Sequence, residues 1–152
     1  MTVNRETARA PAWFWIVAVL ATLWNAFGGY DYWMTRTRNM DHLSQMPGIK
    51  AEDILAYIDS YPLYAQIGWG LGVWGGLAGS VLLLMRSRYA VHAFAVSLLG
   101  MALSFGYQYF GGSKMPAGMD EGAHKYMPLV IIAIGLGLLW FARSMRGKAV
   151  LR

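Results

Sequence analysis

The sequence predicts an all-α integral membrane protein with four transmembrane helices, and three observations carry that reading. The chain of 152 residues is 57% apolar and only 14% charged, where a soluble domain carries about 25% charge. Its mean hydropathy is +0.36. The charges are also segregated. Charge-free runs span Ala10–Tyr30, Ser60–Met85, Tyr89–Ser113 and Tyr126–Ala142, which is 21, 26, 25 and 17 residues. A hydrocarbon core of about 30 Å is crossed by roughly 20 apolar residues at ~1.5 Å each. Three runs have that length, and the fourth reaches it when its flanking side chains snorkel. A soluble enzyme, a disordered tail and a secreted disulfide scaffold are thereby excluded. The chain has no cysteine, which removes disulfides, thiolate catalysis and thiolate metal sites.

Taken in order, the runs predict a single membrane domain over 1–152. The first helix is expected at about 12–33, and reads as a retained span. Arg5 and Arg9 resemble the basic start of a signal peptide, but Glu6 sits between them and no small-x-small cleavage site follows. The loop 34–60 is the longest. Within it, Ala51 to Ser60 puts Ile54, Leu55 and Ile58 on one helical face, with Glu52 and Asp53 at the end where acids suit a helix dipole. This predicts a short amphipathic helix at the outer surface. The second helix is expected at about 61–85, with Pro62 in its first turn. The third is expected at about 89–110 and the fourth at about 126–142.

The basic residues give the orientation. Eight (Arg5, Arg9, Arg86, Arg88, Arg143, Arg146, Lys148, Arg152) fall on the side of the termini and five (Arg36, Arg38, Lys50, Lys114, Lys125) on the other, which also holds seven of the eight acids. The positive-inside rule puts both termini in the cytoplasm. These residues form collars beside apolar runs rather than a basic tract with interleaved aromatics. The +5 charge therefore reads as topology, with no nucleic-acid partner.

The second helix holds Gly68, Gly72, Gly75, Gly76 and Gly79, repeating at four-residue spacing, and the third offers Ser97, Gly100 and Ser104. Lipid supplies little hydrophobic force between helices, so association depends on close approach at small residues. These glycines read as a packing face, whereas Leu83 reads as a lipid-like contact. The order of short motifs also repeats: Phe27-Gly28-Gly29-Tyr30-Asp31-Tyr32-Trp33 against Phe105-Gly106-Tyr107-Gln108-Tyr109-Phe110, and Gly70-Leu71-Gly72 against Gly135-Leu136-Gly137. This reads as two parallel-repeat helical hairpins of the kind found among transporters. Chance likeness in a low-diversity membrane sequence is the other reading.

Polar side chains within a span are costly and often functional. Asn25, Asp31, Gln66 and Gln108, with Tyr30 and Tyr107 beside them, are expected in the outer half of helices 1, 2 and 3. Amides, a carboxylate and aromatic faces in one vestibule suit a small polyhydroxylated solute. The competing reading is interhelical hydrogen bonding. His92 has no histidine in another span to pair with as a haem or metal ligand. The outer loops gather Met34, Met40, His42 and Met46, and Met115, Met119, His124 and Met127, soft ligands that suit Cu(I) or simply pack on the lipid surface. No nucleophile–base–acid set or phosphate loop appears, so neither an enzyme nor a cofactor is expected.

Pro11 to Val17, Leu23 to Asn25, Tyr61-Pro62, Gly75-Gly76 with Gly79, Leu82 to Arg86 and Ser97 to Gly100 together resemble a family of small bacterial four-helix membrane proteins, commonly labelled "sugar transporter". The resemblance covers almost the whole chain. It implies a multi-pass protein of the bacterial inner membrane, and it transfers no site residues. The expected function is a small-solute, sugar-like transporter working as a homo-oligomer, because four helices enclose little space. The alternative is a non-catalytic accessory subunit of a larger membrane complex, and a third reading is copper binding at the Met/His loops.

Overall fold

The computed structural model describes residues 8–152; Arg5 and Glu6 of the charge count lie outside them. Among the described residues all regular structure is helical: α1 (Ala12–Arg36), α2 (Met40–Leu43), α3 (Ala51–Asp59), α4 (Leu63–Leu84), α5 (Ala90–Phe110) and α6 (Gly122–Gly147). Four of these, α1, α4, α5 and α6, are long and apolar enough to cross a membrane. The chain is an all-α, multi-pass membrane protein. With 25, 22, 21 and 26 residues the spans measure roughly 31–39 Å. Only 22–33% of each apolar window is buried in the bundle, so most of each span faces outward, where lipid is the solvent.

Two spans run past the charge-free stretches. α1 continues to Arg36, and α6 begins at Gly122 and ends at Gly147. A charge-free run marks where the bilayer lies, not where a helix stops. Beyond the hydrocarbon, polar residues such as His124 and Lys125 extend a helix without penalty. Pro62 takes the N-cap position of α4, with φ −65° and ψ 158°.

α4 is the central element. It packs along α5 and, on another face, against α1; α5 in turn holds α6. The α4–α5 seam is built from glycine. A Cβ on Gly68 would stand 2.8 Å from Gly100 O, and one on Gly100 would stand 2.5 Å from Gly68 O and Gly72 N. Gly75 faces Ser97 and Gly79 faces the Phe94 ring. Within this seam Ser97 Oγ donates to Gly72 O at 2.6 Å. The glycines of α6 are placed differently: Gly137 has nothing near it, and Gly135 meets only the side chains of Leu98 and Met101. Leu83 is fully buried, in a core with Phe14, Ala18, Phe94 and Met145. The sequence reading of Leu83 as lipid-like is corrected here: its side chain lies in a core drawn from α1, α5 and α6, while Val81 and Met85 beside it are exposed.

Three helices end in the same way. At α1, Arg38 N donates to Thr35 O and Asn39 N to Met34 O; at α4, Arg86 N donates to Leu83 O and Ser87 N to Leu82 O; at α6, Ala149 N donates to Arg146 O and Val150 N to Met145 O. This paired pattern is the Schellman motif, whose pivotal residue is usually glycine because it needs a left-handed backbone. Here the pivots are Arg38, Arg86 and Ala149, at φ 57°, 56° and 56°. Two of these side chains bind distant parts of the fold. Arg38 pairs with Asp59 at 2.8 Å. Arg86 donates to Val150 O at 2.9 Å and to Ala8 O at 2.6 Å. Backbone bonds Arg152 N to Arg86 O, Arg88 N to Arg152 O and Ala8 N to Ala149 O complete a clasp joining residue 8, the α4–α5 turn and residues 149–152. This end of the bundle is called the terminal end below, and the opposite one the loop end.

Candidate functional site

At the loop end, α2, α3 and the return segment 111–121 form a cap. Leu43, Ile49, Ala51 and Ile54 make a small core, with Met46 and Met119 packed against it. Gly118 shows why the two loops lock together. Its φ is +92°, and a Cβ there would lie 2.7 Å from Gly48 O. Only glycine meets both conditions.

Between α3 and the return segment lies an open cleft of about 380 Å³. From α3 it takes Asp53, Ala56, Tyr57 and Ser60, a single face at i, i+3, i+4 and i+7. The return segment adds Ser113, Lys114, Pro116 and Ala117. An acid, a base, hydroxyls and an aromatic ring thus line one small space. Tyr57 is only 5% exposed, and its hydroxyl is buried without a well-formed hydrogen bond among the described residues. A buried, unpaired hydroxyl costs about 1–3 kcal/mol. Burial raises the Tyr57 phenol above its ordinary pKa, and raises that of Tyr61 further. Both phenols therefore stay protonated, and hydroxyls available to hydrogen-bond, throughout the physiological range.

A line of tyrosine rings ties the cleft to the spans. Tyr57 meets Tyr61 edge-on at 5.2 Å, Tyr61 meets Tyr107 at 5.0 Å, and Tyr64 meets Tyr107 at 6.2 Å. The Tyr107 hydroxyl donates to Ser60 O at 3.1 Å, so across its 2.5 Å contact with Ser113 Oγ it is the serine that donates. Ser60 Oγ donates to Tyr57 O at 2.6 Å.

The side chains singled out in the sequence occupy separate places. Asp31 Oδ1 is 2.8 Å from His42 Nε2, and the Tyr30 ring stands edge-on to the same histidine at 5.5 Å. The proposed solute ligand and a proposed soft metal ligand are thus each other's partner, fastening α2 to α1. Gln66 accepts from Arg36 at 3.2 Å and donates to Tyr61 O at 2.9 Å. Gln108 approaches only Met115 Sδ, at 3.9 Å. Asn25 is the clearest departure. Its Nδ2 donates to Ala21 O and to Ser80 Oγ, and Ser80 lies one turn from the end of α4 at Leu84. The expectation that Asn25 shares the outer depth of the other three is therefore corrected. Asn25 stands beside Gly76 and Ser80, whereas it is Arg36, eleven residues further along α1, that reaches Gln66.

His92 is exposed, beside the Tyr89 ring. Among the described residues no group of three His, Asp or Glu is arranged to hold a metal. The sequence reading missed Asp53, Tyr57, Ser60, Ser113 and Lys114. The spacing of the first three along α3 was visible, but nothing local shows that residues 113–117 fold back over them. No known family, curated protein or solved structure matches the chain.

Proposed function

We propose that the chain is a non-enzymatic small-solute protein of the bacterial inner membrane, sugar-like in its preference and transporting as a homo-oligomer, with the loop-end cleft as its solute site. The observation that supports this reading is the open cleft that gathers Asp53, Tyr57, Ser60, Ser113 and Lys114 in one small space. The cleft volume falls in the usual range of about 300–1,000 Å³ for small-molecule sites. Serine and tyrosine hydroxyls match a polyol, and Asp53 accepts from its hydroxyls more strongly than a neutral amide does.

Binding of a panel of labelled mono- and disaccharides to the purified protein, followed by uptake into proteoliposomes, tests it. Asp53→Asn is expected to weaken binding about tenfold, and Tyr57→Phe by several fold. Asp31→Asn keeps a bond to His42 and is expected to bind as wild type does. A wild type that binds no member of the panel rejects the reading, and so does a Tyr57→Phe and Asp53→Asn pair that binds normally.

A second reading, the accessory subunit, draws support from the span interior. Asn25, Ser80 and Ser97 bond within the chain itself. Purification in mild detergent separates the two, since a stoichiometric foreign partner supports the subunit and self-association alone supports the transporter.

The charge distribution supports cytoplasmic termini, with eight of thirteen basic residues on that side. A reporter active only in the cytoplasm is expected to work when fused after Arg152. Activity from an insertion near Gly48, with silence at Arg152, would reverse the topology.

A further inference from the structure

At the terminal end, beside the clasp, lies a cleft of about 690 Å³ whose charged lining among the described residues is entirely arginine: Arg88, Arg143, Arg146 and Arg152. We propose that it holds the phosphate headgroup of an anionic phospholipid.

Charge is the first support. The two salt bridges among the described residues, Arg38–Asp59 and His42–Asp31, are both at the loop end, so none of the four arginines has a carboxylate partner there. Seven of the eight acids lie between Asp31 and Glu121, and the eighth is Glu6. Even with Glu6 and a carboxylate at Arg152 counted against them, the four guanidinium groups keep a net positive charge. Like charges held in one cleft repel, and an anion relieves that repulsion. Guanidinium is also the side chain suited to phosphate, offering paired donors in a rigid plane. Arg86 is not among these ligands, because its own donors are bound to Val150 O and Ala8 O.

The end of α6 is the main opposing feature, since a helix C-terminus favours cations. Two of its last carbonyls are already bonded, Met145 O by Val150 N and Arg146 O by Ala149 N. Four formal charges outweigh what remains of a partial one.

Position decides between lipid and free phosphate. Leu136, Trp140, Arg143 and Gly147 follow one another at i, i+4, i+7 and i+11 along the outward face of α6. Leu136 is 55% exposed and Trp140 71% exposed. An apolar stripe with an interfacial tryptophan therefore leads out of the membrane core directly to the arginines. A lipid fits both parts at once, its acyl chain on Leu136 and Trp140 and its phosphate at Arg143 and Arg146. A free anion uses only the second. Basic pockets at the cytoplasmic ends of spans are a recognised setting for anionic headgroups.

Delipidated protein in detergent, titrated with phosphatidylglycerol or with phosphatidylcholine of the same acyl chains and read by native mass spectrometry, tests the proposal. Wild type is expected to retain phosphatidylglycerol at least about tenfold better. The Arg143→Gln/Arg146→Gln variant, altered at two exposed positions, is expected to lose the preference, as is Arg88→Gln in part. Lys125→Gln, at the loop end, is expected to keep it. Absence of a preference in wild type overturns the proposal, as does its survival in the double variant. Full displacement of the lipid by millimolar inorganic phosphate would show an anion site without lipid selectivity, and would overturn the assignment to lipid.

Discussion

Gly100→Ala is expected to unfold or dissociate the α4–α5 pair under conditions in which the wild type is intact. The added methyl would lie 2.5 Å from Gly68 O and Gly72 N and 2.9 Å from Leu71 Cβ. The first two are backbone atoms of a helix, which no side-chain rotation moves away. The helices must separate, and that loosens the Ser97–Gly72 bond along with the contacts around it. Overpacking costs about 1–3 kcal/mol and occasionally more. Gly100→Ala belongs at the upper end, because in lipid close packing is itself the attractive force. Gly68→Ala is expected to behave alike, since its Cβ would meet Gly100 O and Leu103 Cβ at 2.8 Å. Gly137→Ala, with open space around it, is the control and should not destabilise. Thermal unfolding in detergent, followed by circular dichroism, makes the comparison. Equal midpoints for Gly100→Ala and Gly137→Ala would remove the seam from this account.

The second large effect belongs to Arg86. Replacing it with alanine removes both guanidinium bonds that hold Val150 O and Ala8 O, while keeping the unfavourable positive φ. A hydrogen bond to a charged group contributes about 1.5–3 kcal/mol, so Arg86→Ala should lose about 3 kcal/mol or more. Arg86→Gly loses the same bonds but relieves a left-handed strain of roughly 1–2 kcal/mol, and should fall between Arg86→Ala and wild type. Ala149→Gly isolates the strain. It has the same backbone conformation at φ 56° and no side-chain bond to lose, so it is expected to stabilise by about 1 kcal/mol. Denaturant titration of the three variants checks the order. If Arg86→Gly matches or exceeds wild type, the guanidinium bonds contribute no more than the strain they accompany.

The four spans were legible because length and lack of charge are local properties of a run, and a bilayer imposes one length on all of them. The α4 glycines were legible for a related reason: in a helix their four-residue spacing defines a face without knowledge of what covers it. Offsets between neighbouring helices were not legible. Asn25 stands level with Ser80 because of how α1 packs against α4, and no pattern within α1 reports that. Leu83 shows the same limit, since its neighbours Val81, Leu82 and Leu84 are equally apolar and only the fold shows which one is enclosed. The cleft was hidden most deeply. It needs the left-handed Gly118 to cross over Gly48 and bring Ser113 and Lys114 above α3, a pairing across more than fifty residues of chain.

The clasp at the terminal end has a consequence for biosynthesis. Its three strands of backbone are residue 8, made before any span, the α4–α5 turn, made midway, and residues 149–152, made after all four spans. A chain still attached at α6 therefore lacks the bonds to Ala149, Val150 and Arg152, and of the clasp only the Arg86–Ala8 bond can form. Full closure requires residues 149–152. Until they are made, the turn between α4 and α5 is tied to residue 8 alone, with Arg86 O, Arg88 N and one guanidinium donor lacking the partners that the clasp gives them.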